Sequence, residues 1–267
     1  MTDIIIPRYV KGKEFYADSI EHALENMQKE GYNPLFMPEL AEVKFQPANK
    51  DMLHQWHTSS STIATSRIKG EPISVIAHVD NYFNKPKNVA RAIKTGLIKG
   101  AGIMPENEFQ KLVDLDEIKD GKGNRLVYAF KGKAYEKLRD SSNGVINIED
   151  ALEHPIVMPF IGSEERAKSF LAKYKEAFGN KIGIWHSDDL TDKPLGRLLY
   201  LGDLFNGSLD SNFSLDNDAR FVGSKSAEGA SEKIFKPGLE QVLRISEDYI
   251  PRVSKEDFIR RLRTIYG

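Results

Sequence analysis

Cysteine is absent from all 267 residues, which removes disulfides, thiolate metal sites and every cysteine nucleophile together. No apolar run approaches the roughly 18 residues that a membrane helix needs. The opening MTDIIIPRYVKGKEF is too short and too polar for a secretory signal. The expectation is a soluble chain, cytoplasmic or virion-associated. An excess of positive charge is lacking too: 38 Lys and Arg stand against 39 Asp and Glu, a formal net charge of -1. A dedicated nucleic-acid binder carries a basic surplus, so nucleic acid is not the expected partner. Also missing are a His-Glu-x-x-His pair, a Gly-x-Ser-x-Gly elbow and a dinucleotide glycine fingerprint. Lys99-Gly100-Ala101-Gly102 is glycine-rich, but it follows a helix pattern rather than a strand. Thr58 to Thr62 (TSSST) offers hydroxyls, yet no glycine follows until Gly70, so it reads as a polar loop and not a phosphate cradle.

What is present is a chain with 40% apolar residues, enough to bury a core, and with apolar clusters recurring to its end. Residues 3–10 read as a strand broken by Pro7. Residues 17–30 read as a helix with Ile20, Ala23, Leu24 and Met27 on one face, stopped by Gly31. PISVIAHV at 72–79 is the clearest strand; a helix follows from Asn84–Asn88 through Leu97. DGKGN at 120–124 predicts a turn into a strand at 125–130. IEDALEH reads as a short helix ended by Pro155, before the apolar run IVMPFIG. Residues 163–178 read as a helix capped by Ser163 with acids in its first turn. Strands are expected at 181–185, 197–201 and 219–222, and two helices in the final forty-odd residues. Helices and strands mix without regular βαβ alternation, which predicts an α+β fold. One echo recurs: Ala23 to Glu39 and Ala90 to Glu106 are each a helix, a glycine and then Met-Pro-Glu.

Three groups of residues bear on chemistry. His78-Val79-Asp80 and His186-Ser187-Asp188 each end a predicted strand, where residues i and i+2 share a face. Were those ends to adjoin, His78, Asp80, His186 and Asp188 would suit Zn²⁺, Mn²⁺ or Fe²⁺ and an activated water, a metal-dependent hydrolase; the alternative is ordinary polar capping of strand ends. His54 and His57 flank Trp56, and two imidazoles do not close a metal site, so that group reads as a surface aromatic patch. The stretch from Asp203 to Asp218 is the most unusual. Asp, Asn, Ser and Phe fill it, with Leu204, Leu209 and Leu215 spaced as anchors into the core. It lacks the glycine and glutamate of an EF-hand loop. Its composition suits recognition, with aromatics for contact area and Asn and Ser for adaptable hydrogen bonds.

Local motifs resemble the C-type-lectin-like fold in its sulfatase-modifying-factor branch. Gly102-Ile103-Met104-Pro105-Glu106-Asn107-Glu108-Phe109 is similar to that branch's Gly-x-x-Leu-Pro-Thr-x-x-Glu-Phe/Trp segment, with Met for Leu and Glu for Thr. Ile184-Trp185-His186-Ser187-Asp188 is similar to its tryptophan strand, and Gly196 to Gly202 to its Arg-x-Leu-Arg-Gly-Gly-Ser strand with a single glycine kept. Ala219-Arg220-Phe221-Val222-Gly223 stands where the branch has Gly-Phe-Arg-x-Val. The formylglycine-making members work through a cysteine pair, which this chain lacks. The other implication is a variable protein of a diversity-generating retroelement, in which adenine mutagenesis scatters Asn codons to residues such as Asp, Ser, Tyr and Phe. In such proteins the diversified region usually lies nearer the C-terminus than residues 203–218 do.

The expectation is an α+β, C-type-lectin-like unit over 1–223, with a helical extension over 224–267. Its function is to bind an unidentified protein or small molecule, and no cofactor is named. The ligand-binding residues expected are Trp185, Tyr200, Asp203, Phe205, Asn206, Ser208, Asp210, Ser211, Asn212, Phe213, Ser214, Asp216, Asn217 and Asp218. Besides the hydrolase, an assembly subunit docking through Leu239, Val242, Leu243 and Ile245 is the other alternative.

Overall fold

The computed structural model describes residues 12–187, 189–202 and 208–225, all within a compact unit spanning Met1–Lys225. The strand expected at 3–10 and the C-terminal helices lie outside the described residues. In chain order the elements are β1 (Lys13–Ala17), α1 (Ile20–Lys29), β2 (Asn33–Pro34), α2 (Met37–Lys44), β3 (His57–Ile68), β4 (Glu71–Ala77), α3 (Pro86–Thr95), β5 (Gly102–Ile103) and α4 (Glu106–Asp114). Then follow β6 (Val127–Lys131), α5 (Lys133–Arg139), β7 (Gly144–Asn147), α6 (Ile148–Ala151), α7 (Val157–Ile161), α8 (Glu164–Phe178), β8 (Lys181–Trp185), β9 (Leu195–Leu201), β10 (Ser208–Asp210) and β11 (Ala219–Ser224).

The strands form one mixed sheet ordered β1-β11-β3-β9-β10-β8-β7, with β4 and then β6 joined to β3, β2 to β11 and β5 to β9. Most pairs are antiparallel; β10 with β8 and β11 with β3 are parallel. The central strands are buried on both faces, and alternation divides them between two cores. Ile63, Ile76, Leu199, Leu201 and Val222 face a core closed by α2, α5, α7 and α8. Their neighbours Ala64, Val75, Leu198, Tyr200 and Phe221 face a second core closed by α1, α3 and α4. Helix α1 seats itself by the predicted face: Ile20, Ala23, Leu24 and Met27 are all buried, and Ser19 caps it through the His22 amide. Helix α8 is capped by Ser163 as expected. The echoed segments have a structural counterpart, since each Met-Pro-Glu opens a helix, α2 and α4 respectively.

TSSST is not a loop. It lies inside β3, a twelve-residue strand buried from His57 to Ser66. The reason is a bulge: β3 pairs Thr58 with Tyr200 and then Thr62 with Leu198, so Ser59 to Ser61 drop out of the ladder with β9. Backbone groups freed in a dry interior need local partners, and these small hydroxyls share in supplying them. Ser59 Oγ donates to Leu199 O at 2.9 Å, Ser60 Oγ to Pro34 O at 3.1 Å and Thr62 Oγ1 to Arg197 O at 2.8 Å. Ser61 Oγ accepts the Met37 amide at 2.8 Å, and Asn81 Nδ2 donates to Ser60 O at 2.7 Å.

Candidate ligand-binding face

Residues 208–218 run from β10 into β11 and cross one end of the sheet. Leu209 and Leu215 are 0% and 1% exposed, as expected of anchors. Between and after them Asn212 and Asp216 are exposed, and Asp210, Phe213, Ser214, Asn217 and Asp218 are half-buried. The base of the preceding segment is closed by the Gly202 amide donating to Ser208 O at 2.8 Å. Asp203, Phe205 and Asn206 lie outside the described residues.

Arg197 holds the segment from beneath. Its side chain, 5% exposed, donates through Nη1 to the carbonyls of Asn212 and Phe213, each at 3.2 Å. Through Nη2 it reaches Lys99 O and, at 3.1 Å, Asp189 Oδ2. The Asp189 carboxyl also takes Lys99 Nζ at 2.6 Å and Ser187 Oγ at 2.7 Å. Burial opposes its charge, yet these donors together keep its pKa below the ordinary value. The Leu215 amide donates to Gly100 O at 3.0 Å, stitching the segment to the turn before β5.

An aromatic platform lies beside it. Phe213 stacks on Tyr200 with centroids 4.3 Å apart, and on Trp56 at 6.3 Å. Tyr16 meets the Trp56 edge at 6.4 Å, and its hydroxyl donates to Asp218 Oδ2 at 3.0 Å. The Arg220 guanidinium rests against both rings, 5.2 Å from the Tyr16 centroid and 5.7 Å from that of Trp56. Behind the platform Glu14 Oε1 bonds His57 Nε2 at 2.7 Å, which holds the Glu14 carboxyl below its usual pKa. The buried Lys44 ammonium donates to the carbonyls of Gln55 and Gly202, the latter at 3.1 Å. It thereby ties the bend before Trp56 to Gly202, at the end of β9.

This geometry amends several sequence expectations. Tyr200, Ser208 and Ser211 are 1%, 7% and 0% exposed, so they floor the face rather than touch a ligand. Ser211 is spent on the Trp185 carbonyl, through its amide at 2.9 Å and its hydroxyl at 3.3 Å; Trp185 itself is half-buried. The HQWH group divides: His54 is exposed, Trp56 joins the platform, and His57 is fully buried. Glu14, Tyr16, Arg197 and Arg220 were not among the expected site residues. Only strand pairing brings them here, and no spacing in the sequence signals it.

At the two His-Asp strand ends the imidazoles are held by protein hydrogen bonds. His78 is 2% exposed, and both its ring nitrogens are engaged. Nε2–H donates to Pro159 O at 2.7 Å, so Nδ1 accepts from Ser61 Oγ at 2.8 Å. Burial holds its pKa down to about 4, leaving a neutral imidazole with no nitrogen to give a metal. The Ser61–His78 pair resembles a nucleophile and base only in distance; it is sealed between β3, β4 and α7. Asp80 points outward, 3.9 Å from Lys85. His186 takes the Asn143 side chain on its amide at 2.7 Å and pairs Ser141 Oγ through Nε2 at 3.0 Å. Asp188 lies outside the described residues. Among the described residues no three His, Asp or Glu side chains gather to hold a metal ion, and no helix is long and apolar enough to cross a membrane.

The α+β architecture, a mixed sheet with helices on both faces, agrees with the C-type lectin fold of a solved relative. No protein-family model matches this chain, and no curated protein does. A solved protein from Nanoarchaeota, in which the C-type lectin fold accommodates massive sequence variation, is similar over 81% of this chain and 98% of its own, with 47% identity and a TM-score of 0.73. The chain belongs to the family of that C-type-lectin-fold protein.

Proposed function

We propose that this chain is a non-enzymatic binding protein whose recognition face is the 203–218 segment together with the platform of Tyr16, Trp56 and Phe213. The observation that carries the reading is a division of labour within the segment. The leucines at 209 and 215 are sealed in the core, and Arg197 grips the backbone carbonyls of residues 212 and 213. Apart from the buried Ser211, the Asp, Asn and Ser side chains among them are left to solvent or to partial burial. A surface so built changes its side chains without changing its framework. That property suits the massive sequence variation accommodated by the related protein.

The finer reading is that residues 203–218 are diversified, with Asp203, Phe205, Asn206, Asp210, Asn212, Phe213, Ser214, Asp216, Asn217 and Asp218 as the positions that change. Sequencing the gene from many individuals of its source population tests it. Substitutions concentrated at adenines in those codons, with Leu209 and Leu215 untouched, are the expected result; scattered and mainly synonymous changes overturn it. The ligand contacts are Asn212, Phe213, Asp216 and Asn217, with Trp56 and Tyr16 as fixed anchors. Trp185 borders the face.

A further inference from the structure

Arg220 is a member of this face with hydrogen-bonding capacity to spare among the described residues. Its guanidinium rests in the corner between Tyr16 and Trp56, with 24% of the side chain exposed. Among the described residues no acceptor lies within hydrogen-bond distance of its side-chain nitrogens. Nε is buried without a partner, and the nearest carboxylate, Glu14 Oε1, is 3.9 Å from Nη1. That oxygen is already committed to His57 at 2.7 Å. Asp218, two residues earlier in the chain, has Oδ2 committed to the Tyr16 hydroxyl at 3.0 Å.

An arginine has five N–H donors in a planar fork. Contact with two rings fixes the plane of the fork and restrains its torsions, so much of the ordering cost is met before a ligand arrives. Ring contact satisfies the guanidinium face and leaves the edge; the edge is where a carboxylate binds with two parallel hydrogen bonds. The two nearby carboxylates, Glu14 and Asp218, are each bonded to another donor, His57 and Tyr16, which leaves the fork to a ligand. Tyr16, 58% exposed, offers a ring for the methylenes of an incoming side chain.

We propose that Arg220, held by Tyr16 and Trp56, is a carboxylate-binding subsite of the recognition face. It takes an Asp or Glu side chain, or a C-terminal carboxylate, of a protein or peptide partner. The inference rests on the reading of this face as a recognition surface. It goes further in naming the ligand group and in placing the contact on residues outside the 203–218 segment.

The test is a titration of the full chain followed by NMR at the Arg220 Nε–H and Trp56 indole N–H signals. The probes are N-acetylglutamate α-amide and, as the neutral isostere, N-acetylglutamine α-amide, at constant ionic strength. The expected result is a saturating shift of both signals with the glutamate probe only. Arg220→Lys keeps the charge but loses the fork, and is expected to weaken binding roughly tenfold or more. Tyr16→Ala, a change at an exposed position, is expected to weaken it without altering the fold. Equal titration by the two probes, or titration of Arg220→Lys like the parent, overturns the subsite. A C-terminal source is separated from a side-chain source by repeating the titration with N-acetylalanine. The outcome is independent of the diversification test: a face whose codons do not vary can still bind the glutamate probe, and a varying face can fail to.

Discussion

At the scale of single residues, several buried polar groups have a defined duty, and their removal has a calculable sign. Arg197 is the most consequential. Replacing it with Met strips a buried pair from Asp189 and orphans the carbonyls of Lys99, Asn212 and Phe213. A loss of about 2–4 kcal/mol is expected, from buried carbonyls left without that donor while Asp189 keeps Lys99 and Ser187; urea unfolding of the variant measures it. His78 makes the fold pH-sensitive. Burial holds its folded pKa down to about 4, below the ordinary imidazole value of 6.5, so below pH 6.5 the unfolded chain takes up the proton first. Stability is therefore full above pH 6.5 and falls as pH drops toward 4, by about 3 kcal/mol from this group. His78→Gln is expected to flatten that part of the profile, read as denaturant midpoint against pH. Asp210 has the opposite sign: burial raises its carboxyl pKa, so its charge at neutral pH opposes folding. Asp210→Asn keeps an acceptor for the Asn212 amide and is expected to raise the melting temperature at pH 7 but not at pH 3.

At the scale of elements, glycine placement decides how closely the turn before β5 approaches the recognition segment. A methyl at Gly100, where φ is +84°, would meet Ser214 Oγ at 2.6 Å and Ser214 Cβ at 2.8 Å. Gly100→Ala is expected to cost more than about 1 kcal/mol and to raise hydrogen exchange at Leu215. Gly70→Ala has a similar φ of +86° but open space around it, and so separates backbone strain from the clash. The elements legible from sequence were those whose burial is one-sided or whose caps are local: α1, α8, β4 and the turn at 120–124. Strand β3 was not legible, because a bulge inside a dry core demands hydroxyls, the residue types that otherwise mark loops. The platform was invisible for a different reason. Tyr16, Trp56 and Arg220 meet only through β11 standing between β1 and β3, a pairing across some two hundred residues of chain.

At the scale of the whole molecule, two cores carry stability and one end of the sheet is the proposed recognition face. Substitutions at Asn212, Asp216 and Asn217 are expected to stay within about 0.5 kcal/mol of the parent. Leu209→Ala or Leu215→Ala is expected to cost about 2–5 kcal/mol. A library randomised at residues 212, 216 and 217 and sorted for soluble expression checks the contrast. Most members should survive, and nearly none when residue 209 or 215 is randomised to polar residues. Should the exposed positions prove as intolerant as the leucines, the face is structural and the binding reading falls.

The grip of Arg197 on residues 212 and 213, and that of Lys44 on residue 202, is made to carbonyl oxygens. A carbonyl is common to all twenty amino acids. The framework thus holds places in the chain, with no regard for the letters written there. A face rewritten at those positions is therefore expected to fold as the old one did, which is what the proposed reading requires of it.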